Sequence, residues 1–190
     1  MNFKDLVKNN RSYRRFDEQF VIERDTLVEL IGLTRYAASG RNAQPLKYFL
    51  SNDRDLNEEI FSTLAWASYL TAWPGPKKGE RPAAYIIVLL DHHISDNFFC
   101  DDGIAMQNIL LGAVEKGLGG CIIRSINKSR LTAILHLPDH FEIIDVVAIG
   151  KPVETVVITN VKEDGDIRYH RDENGVHYVP KRSLDELIVN

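Results

Sequence analysis

One stretch of the chain restricts its fold more than any other. Between Asp101 and Glu115 the residues Ile104, Ala105, Met106, Ile109, Leu110, Leu111, Ala113 and Val114 leave no continuous polar face at helical periodicity. A helix that is apolar nearly all round has to be covered on several sides, either at the centre of its own domain or in an interface between subunits. Lys116-Gly117-Leu118-Gly119-Gly120 follows at once, and glycine there suits the left-handed residue that closes a helix. The partners for such a helix are visible in the same sequence. Ala84 to Leu90 and Ile143 to Ile149 are continuous apolar runs rich in β-formers, which read as buried strands and are far too short to span a bilayer.

The remaining segments fill in around these. Thr26-Leu27-Val28-Glu29 has the form of a capping box, and the helix it opens is expected to stop at Ser39-Gly40. Leu46 to Leu50 reads as a strand, Asp53 to Leu64 as a helix, and the proline- and glycine-rich stretch from Trp73 to Pro82 as a loop. Cys121 to Ile126 reads as a strand and Ser129 to His136 as a short helix, and Gly150-Lys151-Pro152 breaks the pattern that precedes it. The last forty residues are charged, with short apolar pairs that bury little by themselves, and they end in a capping box at Ser183-Leu184-Asp185-Glu186. Such a tail is expected to wrap over another surface, a partner subunit being one choice. The order is neither strict βαβ alternation nor all-helical, so the expected class is α+β, and 190 residues fit a single domain over 1–190.

Charge and motif content exclude several functions. A formal net charge of -4 argues against a general nucleic-acid binder. Two cysteines, Cys100 and Cys121, with no CxxC pair support neither a disulfide framework nor a zinc site. Cys121 sits in an apolar run without a histidine partner and reads as a small buried hydrophobe. Asp91-His92-His93 has no further ligand at a recognisable spacing, so no metal is expected. The N-terminus lacks the apolar run of a signal peptide, which makes a cytoplasmic location the expectation, with no membrane association. GxGxxG, the P-loop and GxSxG are all missing.

Three stretches can still carry chemistry. In Arg11-Ser12-Tyr13-Arg14-Arg15-Phe16, forked cations beside a hydroxyl suit a small anion such as a phosphate, and a solvated basic turn has the same composition. Ser39-Gly40-Arg41-Asn42-Ala43-Gln44-Pro45 gathers a hydroxyl, a guanidinium and two carboxamides, which suit a flat heterocycle or a structural turn equally well. Trp66, Tyr69 and Trp73 stand at helix-compatible spacing, as a stacking platform or as packing.

Taken together and in order, these stretches resemble the nitroreductase-like family of FMN-dependent oxidoreductases. Arg11 to Phe16 resembles the family's phosphate-binding RRSxRxF, and Ser39 to Pro45 its S-x-x-N-x-Q-P loop beside the flavin. Asp101 to Asn108 with the Gly117–Gly120 turn is similar to its central helix, and Gly150-Lys151-Pro152 to a strand end. The resemblance implies a mostly antiparallel sheet flanked by helices and a homodimer with FMN between subunits, whose C-terminal tail embraces the partner. It implies Arg11 and Ser12 on the FMN phosphate, Arg14 nearer the pyrimidine edge, and Ser39, Arg41 and Asn42 on the flavin. Ile123, Arg124 and Ser125 match the strand whose amides face the redox-active edge, and Lys181 and Arg182 resemble the basic motif that closes the phosphate site. Asn10 replaces the family's first arginine, Arg124 and Ser125 stand where glycines are common, and Lys181 and Arg182 are adjacent rather than separated.

The activity implied is reduction of FMN by NADH or NADPH, followed by reduction of a small-molecule acceptor such as a quinone or nitroaromatic compound. The cofactor supplies the chemistry, so no catalytic acid, base or nucleophile is expected. Alternatives are a specialised flavin reaction on the same fold, such as dehalogenation or substrate dehydrogenation, a flavin-binding sensor or carrier without turnover, and a nucleotide site for a ligand other than flavin.

Overall fold

The computed structural model describes residues 1–190. Its helices are α1 (Phe3–Asn9), α2 (Arg24–Gly32), α3 (Arg54–Phe61), α4 (Asp101–Glu115), α5 (Lys128–Ile134) and α6 (Leu184–Leu187). Its strands are β1 (Phe16–Asp17), β2 (Leu46–Ser51), β3 (Ala84–Asp91), β4 (Gly119–Ile123), β5 (Phe141–Pro152), β6 (Val156–Asn160), β7 (His170–Arg171) and β8 (His177–Lys181). The fold is α+β, with an antiparallel sheet flanked by helices.

The main sheet is built on β5, which pairs antiparallel with β3, β4 and β1, while β2 adds to the outer edge of β3. The whole of β3 is buried, because helices cover both faces of the sheet. Alternation along the strand sorts its side chains. Ala84, Ile86 and Val88 join Leu27, Leu30, Met106 and Ile109 on the face covered by α2 and α4. Tyr85, Ile87 and Leu89 join Ile60, Leu131 and Ile143 on the face covered by α3 and α5.

Helix α4 occupies the bounds its composition predicts, and nine of its residues are buried. At Gly112 it meets the chain after α2 so closely that an added Cβ would lie 2.3 Å from Leu33 Cδ1. Its end is a Schellman closure, with Gly117 at φ +72°, Leu118 N–H donating to Ala113 O at 2.8 Å and Gly117 N–H to Val114 O at 3.0 Å. The first turn carries Asp101 and Asp102 against the helix's positive end, and both are buried.

Three local expectations fail and one long-range element is new. Thr26 lies inside α2, which begins at Arg24 after a Glu23 that makes no side-chain cap. That helix stops at Gly32 and tightens into a 3₁₀ turn over Leu33–Tyr36, short of Ser39. Trp66, Tyr69 and Trp73 lie in an irregular segment, not on a helix. The C-terminal segment forms a small sheet of its own in the order β6-β8-β7, with β6 and β8 parallel. The capping box at Ser183 and Glu186 is present in both directions. No helix is long and apolar enough to cross a membrane.

Candidate functional site

Residues 11–16 leave α1 and run beside β4. Ser12 bridges Gly120 in parallel, and Tyr13 N–H donates to Gly120 O at 3.0 Å, before Phe16 enters the core opposite Pro152. Extended backbone turns successive side chains to opposite sides, and this separates the two adjacent arginines. Arg15 is taken up by Glu80, with Nε and Nη2 at 2.8 and 2.7 Å from the two carboxylate oxygens. Arg14 faces the other way. Its Nη1 lies 3.2 Å from Ser12 O and 3.4 Å from His177 Nε2, and its guanidinium stands 5.1 Å from the Tyr169 ring centre. Arg11 donates from Nη2 to Val7 O at 3.0 Å, and its buried Nε has no acceptor.

Glu154 holds this strand in place from beneath. Its carboxylate, with no exposed side-chain surface, accepts from the backbone N–H groups of Arg14 and Arg15 and from Arg171 Nη2 at 2.8 Å. Arg171 in turn lies over the Trp73 ring, 4.2 Å from its centre. His177, also fully buried, has its pKa pushed down to about 4 by burial first and then by the nearby Arg14, Arg171 and His170 charges. It is therefore neutral near pH 7 and can accept from Arg14.

Between this strand and the end of β4 lies a cleft of ≈ 200 Å³ lined by Arg14, Trp66, Ile123, Arg124, Ser125 and Tyr169, among others. Ala65 N–H donates to Ser125 O at 2.9 Å and tethers the irregular segment that carries Trp66. Burial holds the Cys121 thiol, which borders the cleft, above its ordinary pKa. Arg124 borders the same cleft, but its fork is engaged elsewhere. The β4–β5 register sets it beside fully buried Asp145, which it meets through Nε at 2.9 Å, while its Nη2 reaches Asp102 at 2.5 Å. The Asp145 hydrogen bond chiefly raises the Arg124 pKa.

Asp101 and Asp102 place a second group nearby. Asp101 Oδ1 accepts from Gly40 N–H at 2.9 Å, which joins the Ser39–Pro45 loop to the same first turn of α4 that receives Arg124. In this loop Arg41, Asn42 and Gln44 all have positive φ, at 56°, 57° and 52°. Non-glycine residues in that region are strained by about 1–3 kcal/mol each, and such strain concentrates at ligand sites. Ser39 Oγ accepts from Gln44 N–H at 2.9 Å, and the Gln44 carboxamide is 3.2 Å from Asn42 Oδ1.

Of the residues singled out in the sequence, Arg14, Ile123, Arg124 and Ser125 therefore line one cleft. Arg11 and Ser12 belong to the strand that borders it. Ser39, Arg41 and Asn42 are tied to α4 but line neither cavity described here. Lys181 and Arg182 stand apart, Lys181 in register with Asn160 and Arg182 paired with Glu186 at 3.2 Å. Glu154, Tyr169 and His177 escape sequence reading because each is a single residue in a polar tail with no motif around it. A larger cavity of ≈ 460 Å³, lined by Ile22, Asn57, Arg81 and Tyr85 among others, contains none of the predicted residues.

The sequence model of the nitroreductase family matches residues 7–151. Solved structures share the fold. A candidate NADH dehydrogenase/NAD(P)H nitroreductase from Parabacteroides distasonis is 25% identical, with a TM-score of 0.66 over 80% of this chain and 88% of that one. An FMN-dependent nitroreductase from Clostridium difficile is 20% identical, with a TM-score of 0.62 over 78% of this chain and 87% of that one. A nitroreductase family protein from Streptococcus pneumoniae is 16% identical, with a TM-score of 0.71 over the whole of both chains.

Proposed function

Because this chain belongs to the nitroreductase family, we propose that it is an FMN-dependent oxidoreductase, using NADH or NADPH as donor and a quinone or nitroaromatic compound as acceptor. Bound FMN supplies the hydride chemistry between donor and acceptor. The observation that carries the reading is the strand from Arg11 to Arg14, which runs beside β4 and sets the Arg14 cation in the wall of the cleft at that strand's end.

The donor set fits a flavin mononucleotide. Arg11 has an orphan buried Nε and the next residue, Ser12, is exposed, so the segment offers the guanidinium and hydroxyl donors that a phosphate requires. Arg14 sets a fixed positive charge at the cleft, where it favours negative charge on a reduced ring. Neutral His177 and the tyrosine face of Tyr169 hold that guanidinium in position. Arg124, bound to Asp102 and Asp145, keeps its charge compensated and lends mainly its backbone and stem to the cleft wall. Lys181 and Arg182 are assigned to the phosphate as well, reaching it when the tail is repositioned by a second subunit.

At ≈ 200 Å³ the cleft is smaller than the ~300–1,000 Å³ of ordinary ligand pockets, which supports a site completed by a second copy. The homodimer also accounts for exposed Leu184, Leu187 and Ile188 in the tail and for the loop of Ser39, Arg41 and Asn42, strained at Arg41, Asn42 and Gln44, outside its own cleft.

The test is anaerobic. Purified protein loaded with FMN is expected to turn yellow and to bleach with NADH or NADPH, and to regain colour when a quinone is added. Arg11→Ala is expected to bind FMN about tenfold to hundredfold more weakly, the value of one charge-assisted hydrogen bond. Protein that stays colourless after incubation with FMN would sink the reading. A yellow protein that neither nicotinamide bleaches would point instead to a flavin-binding sensor or carrier.

A further inference from the structure

At the opposite end of β3 from the chain's proline-rich loop, the fold assembles a set of donors that spacing along the sequence hides. The β3–β5 register ends at Asp91 opposite Phe141, and the pairing continues one step further, with His92 N–H donating to His140 O at 2.9 Å. This brings His140 against the turn after β3. Its ring stacks on His93, with centres 4.1 Å apart and planes 6° from parallel. One ligand atom from each of Asp91, His93 and His140 lies within 4.8 Å of the others.

The charge balance of this corner calls for a cation. Asp91 is 8% exposed, and its carboxylate accepts the His93 backbone N–H at 3.0 Å but belongs to no ion pair. A mostly buried carboxylate without a counter-charge is unfavourable, and a bound cation removes that penalty. The surroundings add to the negative field. His92 on the same turn faces Asp96 at 2.8 Å and Glu142 at 3.5 Å, and Glu142 is shared with Lys128 at 3.0 Å.

We propose that Asp91, His93 and His140 bind a divalent transition-metal ion of the zinc type, with solvent completing the coordination. Two imidazole nitrogens and one carboxylate suit Zn²⁺, Ni²⁺ or Co²⁺, whereas Ca²⁺ and Mg²⁺ prefer all-oxygen shells. Bonds of about 2.0–2.2 Å require the donors to close to roughly 3.4 Å. An ion held by both imidazoles lies in both ring planes, so exposed His93 and half-buried His140 turn out of their parallel stack by side-chain rotation to bind it, while buried Asp91 stays fixed. The ion clamps the turn after β3 to the start of β5. This corner is four residues of β5 from Asp145, about 13 Å at strand spacing, so the site is separate from the cleft.

The experiment is calorimetric titration of ZnCl₂ into the untagged full-length protein, with its flavin content recorded in parallel. One Zn²⁺ per chain is expected, at least tenfold weaker binding in His140→Gln and in His93→Gln, and unchanged binding in His136→Asn. Flavin content is expected to be the same in all of them. MgCl₂ and CaCl₂ should give no comparable binding. Wild-type protein that takes up no zinc overturns the proposal. So does zinc binding that survives both histidine substitutions, or that is lost in His92→Gln while persisting in His93→Gln. Should His140→Gln fail to fold by circular dichroism, His93→Gln on the exposed turn decides the matter alone.

Discussion

Strands β3 and β6 are similar in composition and opposite in fate. β3 is a run of seven apolar residues closed by Asp91, and all eight positions are buried between two helical layers. β6 opens Val156-Val157-Ile158, yet Val157 is 37% and Ile158 48% exposed. β3 is held by apolar contact on both faces. The segment containing β6 is held mainly at one polar anchor, where Arg171 meets Glu154 and covers Trp73, and where His177 reaches Arg14. Strand-forming residues are thus compatible with both situations, and what surrounds the strand decides its stability.

This contrast can be broken most forcefully from the core side. Ile109→Ala, beneath the main sheet, is expected to lower global stability by about 3 kcal/mol, read from the urea midpoint, because a fully buried side chain leaves a cavity. Arg171→Ala should have a smaller and more local effect. It leaves the buried Glu154 carboxylate short of one partner, a loss of about 2 kcal/mol. Hydrogen exchange is expected to accelerate across residues 156–181 while β3 and β5 remain protected. Uniform loss of protection would show that the tail and the main sheet unfold as one unit.

A pH series probes the same anchor. His177 titrates near 4 in the folded protein and near 6.5 when unfolded, so the unfolded chain binds the extra proton first. Stability should be flat above pH 6.5 with respect to this group and fall between pH 6.5 and about 4, by at most about 1.4 kcal/mol per pH unit. His177→Leu should remove that component of a thermal-melt pH profile. The smallest effect on the isolated chain is expected for Leu187→Asp, whose side chain is 66% exposed. Its melting temperature should be almost unchanged, while sedimentation should shift toward monomer if the proposed homodimer uses the tail.

Features governed by near neighbours were the ones legible in advance. The bounds of α4 follow from its apolar periodicity, its closure from Gly117, and the α6 capping box from Ser183 and Glu186. The helix expected from Asp53 starts there, with Asp53 capping it through Leu56 N–H at 2.8 Å, but it stops at Phe61, short of Leu64. The same logic failed at Thr26, where a capping-box pattern lies within a helix because Leu27 and Leu30 are drawn into the core and the helix begins upstream. The grouping of Arg14 with Ile123, Arg124 and Ser125 was reached through resemblance, since nothing local relates residues so far apart.

By itself the sequence determined where the chain would form buried strands, where its central helix would begin and end, and which arginines were available to an anion. Those outcomes depend on periodicity and on interactions within a few residues. Only the tertiary structure decided that Arg15 is consumed by Glu80 while Arg14 faces the cleft, that Arg124 pairs with Asp102 and Asp145, and that His140 meets Asp91 and His93. Each of these depends on the register between strands or on the path of a loop. Such pairing is set by the burial of whole sheet faces, and a one-residue slip would reverse every side chain involved.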